Sequence, residues 1–308
     1  MLSRLTHNAL SLLTITALTA GALGCANRQN TTVDAPPETA QPTHAEQSQA
    51  SRELVLQAVT ALFVDFDAEA ATPLIAEDYI QHNPYVPTGA QAVLDFLPAL
   101  KESGLTATPH RVLADGNLVL LHSTYEQADL FGAPTLIGFD VFRVEDGKLA
   151  EHWDNLQVPP EVTVSGRSMT DGPTAITDLE PTDANRALIQ EFADTVLIGG
   201  QFDKLPEYII SEPGAYHQHN PDIGDGLQGL AAGFQALAES GRGITYTQMH
   251  GIVAEGNFVF TMAEGTMGDA PTAYFDLFRI EDGLIVEHWD TIATIPPESE
   301  FAHDNGKF

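Results

Sequence analysis

The chain has 308 residues, with 43 Asp plus Glu against 13 Lys plus Arg and a formal charge of -30 at pH 7. A surface that negative repels phosphate backbones and anionic lipid, which excludes roles built on nucleic-acid contacts. With 43% hydrophobic and 18% charged residues the composition is globular, and the length suits two domains.

In chain order, a basic start at Arg4 leads into an uncharged run from Ala9 to Leu23. That run is too short to cross a hydrocarbon core of about 30 Å as a helix, so residues 1–24 are expected to be a signal peptide. Cys25 is the only cysteine, which rules out an internal disulfide. Ala22-Leu23-Gly24-Cys25 resembles a bacterial lipobox. The resemblance implies lipidation of Cys25, export, and anchoring in the cell envelope, at the outer membrane because position 26 is Ala rather than Asp. Plain secretion with an unmodified Cys25 is the alternative. Residues 25–50, rich in Thr, Gln, Ala and Pro without an apolar period, are expected to form a flexible tether.

The rest is one unit written twice. Gln81-His82-Asn83-Pro84 returns as Gln218-His219-Asn220-Pro221, and Glu151-His152-Trp153-Asp154 as Glu287-His288-Trp289-Asp290, at an offset of about 137 residues. Phe139-Asp140-Val141-Phe142-Arg143 returns as Phe275-Asp276-Leu277-Phe278-Arg279, and both runs lead into Glu-Asp-Gly. The domains are expected at 51–165 and 182–300, with a linker at 166–181 and a tail at 301–308.

Within each copy, helix signals precede strand signals. Leu54, Ala58, Val59, Leu62 and Phe63 recur with helical spacing, as do Leu188, Ile189, Phe192 and Val196 behind a Thr182-Asp183 cap. A short helix is expected around Pro73 to Ala76, and longer ones at 89–103 and 226–240. Strands are expected at 106–114, 118–126, 135–144 and 149–157, which makes each copy α+β with an antiparallel meander.

The last hairpin admits two turns around Asp146-Gly147. A two-residue turn sets Asp140 against Trp153, whereas a three-residue loop sets Arg143 against Glu151 as an attractive cross-strand pair. The second is preferred, and it groups Phe139, Val141, Leu149 and Trp153 on one face. It places Asp140 opposite Asp154, and Asp276 opposite Asp290, on the other face with Phe142, Val144, Ala150 and His152. Two carboxylates at cross-strand distance beside apolar groups cannot both ionise cheaply, so one becomes a candidate general base near neutral pH. A solvated rim position for the pair is the alternative. His82 and Asn83, with His219 and Asn220, could donate to an enolate oxygen. His110, His122, His152, His250 and His288 could face the same cavity. No metal is expected, since there is no Cys ligand or His-x-x-x-His helix and His217-x-His219 is the only close pair.

Taken together, the Gln-His-Asn-Pro segment, the Gly-Asn turn and the Phe-Asp-x-Phe-Arg to Glu-His-Trp-Asp hairpin resemble the SnoaL-like branch of the nuclear transport factor 2-like superfamily. The likeness is to the group described as predicted SnoaL-like aldol-condensation enzymes, and the ending Asn305-Gly306-Lys307-Phe308 fits it too. This implies two tandem cone-shaped α+β barrels, each with an apolar pocket. It also implies cofactor-free acid/base chemistry on a small carbonyl compound, with Asp154 and Asp290 as bases tuned by Asp140 and Asp276. The family's cyclases carry His where Asp140 and Asp276 stand. A tethered, non-catalytic binding module for a small apolar ligand is the competing reading. The partners expected are a small-molecule ligand and, only through the lipid on Cys25, a membrane, with no nucleic acid. The two copies are expected to pack as an internal pseudo-dimer through Phe139, Val141 and Trp153, leaving room for further oligomerisation.

Overall fold

A computed structural model describes residues 41–308. The expected signal peptide and Cys25 lie outside the described residues. Among those residues, no helix is long and apolar enough to cross a membrane.

The first copy opens with helix α1, His44–Phe63, inside the stretch expected to be tether. Thr43 explains the early start. Its hydroxyl accepts from Glu46 N at 3.3 Å, and the Glu46 carboxylate takes the Thr43 N–H at 2.8 Å, a reciprocal cap of the kind that stabilises a helix by about 1 kcal/mol. Val55, Ala58, Val59 and Leu62 form its buried stripe. Helix α2, Ala68–Ala71, and a 3-10 turn at Thr72–Leu74 come next. The helix expected at Pro73 to Ala76 therefore ends before Ile75, where strand β1, Ile75–Gln81, begins. Helix α3, Ala90–Ser103, stops at Gly104 with φ 73°, a left-handed cap that glycine adopts without strain.

Strands β2 (Thr106–Asp115), β3 (Leu118–Glu126), β4 (Thr135–Glu145) and β5 (Lys148–Gln157) match the strand signals closely. The sheet order is β1-β5-β4-β3-β2, with β1 parallel to β5 and the remaining pairs antiparallel. The parallel edge strand departs from the expected meander. Its Glu77 and Asp78 break the apolar alternation by which strands are recognised.

The second copy repeats the plan with α4 (Thr182–Phe192), α5 (Leu205–Tyr208), β6 (His217–Gln218), α6 (Gly226–Glu239), β7 (Ile244–Glu255), β8 (Phe258–Met267), β9 (Ala270–Glu281) and β10 (Leu284–Thr294). Its sheet order is β6-β10-β9-β8-β7. Each copy is thus an α+β cone, with helices on one face of a five-stranded mixed sheet. Thr182 does not cap α4, whose N-cap is Pro181; its hydroxyl instead accepts from Gly256 N at 2.9 Å.

The hairpin register combines the two turn readings. Asp146 and Gly147 both have positive φ, 50° and 71°, and Glu145 pairs with Lys148, so the turn is the two-residue type. A bulge between Leu149 and Glu151 then adds one residue to β5. Beyond it the pairs are Arg143 with Glu151 and Asp140 with Asp154, as the longer loop would give. The second copy repeats both features, ending with Arg279 opposite Glu287 and Asp276 opposite Asp290. The bulge also turns Leu149 away from Phe139 and Val141, contrary to expectation, into the core beneath the helices.

Each copy has its own core between helices and sheet. A third apolar cluster joins the opposite sheet faces, with Leu113, Leu120, Phe139 and Val141 packed against Val253, Phe258, Phe260, Phe275, Leu277 and Trp289. Polar contacts tie the same region: Asn155 Nδ2 donates to Thr291 O at 2.7 Å, and Arg52 pairs with Glu255.

Candidate functional site

In the first copy, β1 lies beside β5 with Gln81 level with His152, which brings the Gln-His-Asn-Pro segment against the hairpin. Gln81 is the hub of the polar network there. Its Oε1 accepts the backbone N–H groups of His82 and Asn83, each at 2.9 Å, so this atom is an acceptor and His152 Nδ1, also 2.9 Å away, must donate to it. His152 Nε2 then faces Asp140 Oδ1 at 3.2 Å. Tyr125 Oη donates to the other Asp140 oxygen at 2.6 Å, and Asn83 Nδ2 donates to Asp154 Oδ2 at 2.6 Å. Asp140 and Asp154 are both 6% exposed, which places the pair inside the cone rather than at a solvated rim.

The second copy reproduces this arrangement. Gln218 Oε1 accepts from Asn220 N and His288 Nδ1, both at 2.9 Å, and His288 Nε2 meets Asp276 Oδ1 at 3.0 Å. Asn220 Nδ2 donates to Asp290 Oδ2 at 2.6 Å, and Tyr246 Oη donates to Asp276. The two tyrosines serve the same purpose from different strands. Tyr125 on β3 lies over Gly138, where an added Cβ would come within 3.0 Å of its ring. The corresponding place in β9 holds Tyr274, and the hydroxyl donor comes instead from Tyr246 on β7, stacked on Tyr274 at 4.3 Å.

The copies part at the second oxygen of the last aspartate. Asp154 Oδ1 has Lys307 Nζ at 3.5 Å, and that amine also donates to Asp154 O at 2.5 Å. Asp290 Oδ1 is buried and has no partner among the described residues. Burial, with Asp276 adding to it, pushes the Asp290 carboxyl up to about 6, although His288 and Asn220 pull the other way. Burial would lower the His288 imidazole, but its bond to Asp276 and the charges of Asp290 and Asp276 outweigh that and raise it.

The surrounding space differs as well. In the first copy a cavity of about 90 Å³ lies beneath α1 and α3, walled by Leu62, Leu97, Leu100 and Phe142 and reaching Asp140, His152 and Asp154. A second, outer cavity of about 540 Å³ shares Asn83, Phe96, Phe131 and Asp154 with it and is lined by Lys307. The corresponding cavity in the second copy, around Asp276, His288 and Asp290, is about 40 Å³. The inner spaces are smaller than the few hundred Å³ typical of ligand pockets, and in the first copy the outer cavity supplies the room.

Of the histidines and asparagines expected at the site, His152, His288, Asn83 and Asn220 reach the aspartates. The others face away. His82 stacks on Trp153 at 4.9 Å and bonds Glu151, and His219 stacks on Trp289 at 4.6 Å and bonds Glu287. His122 stacks on Phe139, His110 bonds Thr124 Oγ1, and His250 stacks on Phe308. Alternation decides this outcome: His122 pairs with Phe139, whose side chain points to the third cluster, and residues neighbouring a site residue in a strand look the other way. Sequence reasoning missed Gln81, Gln218, Tyr125, Tyr246 and Lys307. The glutamines stand in the repeated tetrapeptide, a signal that could have singled them out; the tyrosines occupy unmatched positions and leave no repeat signal.

The ligand-type atoms of Asp140, His152 and Asp154 lie within 4.8 Å of one another, as do those of Asp276, His288 and Asp290. Chemically this donor set could accept a divalent cation. Glutamine, tyrosine and asparagine partners already engage most of these atoms.

A family model described as SnoaL-like domain matches residues 56–152 and again 189–288. Among solved structures, an NTF2-like protein of unknown function from Mesorhizobium loti is 21% identical over 38% of this chain and 98% of its own, with a TM-score of 0.33. TsrD from Streptomyces laurentii is 20% identical over 35% of this chain and 89% of its own, with a TM-score of 0.31. An LEH-like epoxide hydrolase from M. tuberculosis is 19% identical over 36% and 84%, with a TM-score of 0.29. No curated protein matches the chain.

Proposed function

The chain belongs to the SnoaL-like domain family in both of its halves, and from that premise we propose that the first copy is an acid/base catalyst acting on a small carbonyl compound, of the aldol-condensation or cyclisation type. The reading needs no cofactor. The observation that carries it is the hydrogen-bonded chain Gln81–His152–Asp140 beside Asp154, which lines both cavities. Asp154, steadied by Asn83, is the base that takes a proton alpha to the carbonyl. The proton shared by His152 and Asp140, backed by Tyr125, is the acid that returns it. The second copy, with a cavity of about 40 Å³, is a structural partner whose site keeps the geometry without the space.

The test is exchange of alpha protons in small ketones and aldehydes, monitored by NMR in deuterated buffer. Asp154→Asn should lower the rate by about 100-fold or more. Unchanged exchange removes the assignment. The apolar walls, Leu62, Leu97, Leu100 and Phe142, support a second reading, a binding module for a small apolar ligand. Ligand retained through purification, with no exchange activity, would select it. For location, the reading is an envelope protein held by a lipid on Cys25. Cys25→Ser should move it from the membrane to the soluble fraction.

A further inference from the structure

Residues 301–308 return from the second copy across the first. Ala302 N donates to Pro84 O at 2.7 Å, Asn305 Nδ2 to Gln81 O at 3.0 Å, and His82 Nδ1 donates to Gly306 O at 3.0 Å. The linker does the converse, since His219 Nδ1 bonds Ser168 O at 2.7 Å. Ser168 and Gly306 thus hold equivalent stations, but the next residue is Met169 after one and Lys307 after the other. The chain has four lysines, and Lys101 and Lys148 are exposed. Lys307 is different: its side chain is 9% exposed, and it lines the outer cavity next to Asp154.

We infer that Lys307 is the amine nucleophile of the first copy, forming an iminium with the carbonyl carbon of a small ketone or aldehyde held beside Asp154. This rests on the acid/base reading of Asp154 and adds a covalent step to it. Burial lowers the affinity of the Lys307 amine for its proton, although Asp154 and Asp140 oppose the effect. The neutral Nζ adds to the carbonyl carbon, the C=O π electrons move to oxygen, and oxygen takes a proton from the His152–Asp140 pair. Loss of that oxygen as water, after a second proton arrives from nitrogen, leaves C=N. Asp154 then removes the alpha proton, and the C–H electrons flow through the new C=C bond to nitrogen as an enamine. After the enamine carbon has attacked a second carbonyl or been reprotonated, one water adds back, releases the product and restores the amine. Met169 cannot do this in the second copy.

The experiment uses the full chain, acetone and sodium borohydride, which reduces an iminium to a stable secondary amine. Peptide mass spectrometry at pH 7 should find the isopropyl adduct on Lys307 at about tenfold or more the level on Lys101 and Lys148. Equal or lower labelling of Lys307 overturns the inference. Alpha exchange of acetone separates the two claims, with circular dichroism confirming that each variant is folded. Exchange that survives Lys307→Arg but falls in Asp154→Asn overturns the nucleophile and keeps the acid/base reading. Trapping at Lys307 without Asp154-dependent exchange keeps the nucleophile and overturns that reading.

Discussion

The two copies share a hairpin, a glutamine and an Asp-His-Asp cluster, yet they solve the same electrostatic problem differently. Two buried carboxylates side by side cost more than either alone. The first copy gives Asp154 a hydrogen-bond donor in Lys307 Nζ and opens onto about 540 Å³ of space. The second has no such donor among the described residues, leaves Asp290 Oδ1 unpartnered, and closes to about 40 Å³. Duplicated residues therefore do not guarantee duplicated surroundings. What separates the copies is supplied by a segment outside the repeated motifs.

The largest contrast is expected in stability at the tryptophans. Trp289 is fully buried, under the Arg111 guanidinium at 4.1 Å, with its Nε1 donating to Asp171 O at 2.9 Å. Trp153 is only partly buried, against His82. Trp289→Ala should cost about 3–5 kcal/mol and Trp153→Ala about half that, read from urea midpoints at constant slope. Equal losses would mean that the two hairpins are equivalent in packing. Next comes turnover: Asp154→Asn should raise the barrier by about 2.7 kcal/mol, a 100-fold loss, while Asp290→Asn leaves alpha exchange within about threefold. A larger effect at Asp290 would reverse the assignment of the working copy.

The pH response sharpens the comparison further. Because the Asp290 carboxyl is raised from 3.8 to about 6, the folded chain binds more protons than the unfolded one between those values. The neutral form is the favoured one, so this contribution is present at about pH 4 and is lost as pH rises through about 6, to a total on the order of 3 kcal/mol. The raised His288 acts in the same direction, contributing below its ordinary value and losing that contribution as pH rises through its folded value. Asp290→Asn should raise the melting temperature at pH 8 and leave it unchanged near pH 4. Asp154→Asn, which strands Lys307, should show no such gain. The smallest effect concerns the helix starts: Thr43→Ala should cost about 1 kcal/mol, because α1 is capped by that side chain, whereas α4 has no side-chain cap to lose.

The repeat made the fold legible. Strand limits at 106–114, 118–126, 135–144 and 149–157 fall within a residue of those observed, because alternating Val, Leu, Phe and Thr bounded by Asp-Gly turns leaves little choice. The cross-strand aspartates were readable for a less secure reason. Attraction between Arg143 and Glu151 pointed to the right register, although the turn that generates it is shorter than supposed and a bulge supplies the missing residue. The histidines were misplaced because a set of residue types carries no facing, and His82, His110, His122, His219 and His250 all lie on the far side. Lys307 was invisible as a site residue, since it meets Asp154 only through the return of a segment from the other copy.

That return sets an order on biosynthesis. A ribosome will have released every strand of the first cone, and nearly all of the second, before residue 307 clears the exit tunnel. Until then the first cavity lacks its lysine wall. A nascent chain, or one that stops before residue 307, can carry a complete-looking first cone that has no finished pocket.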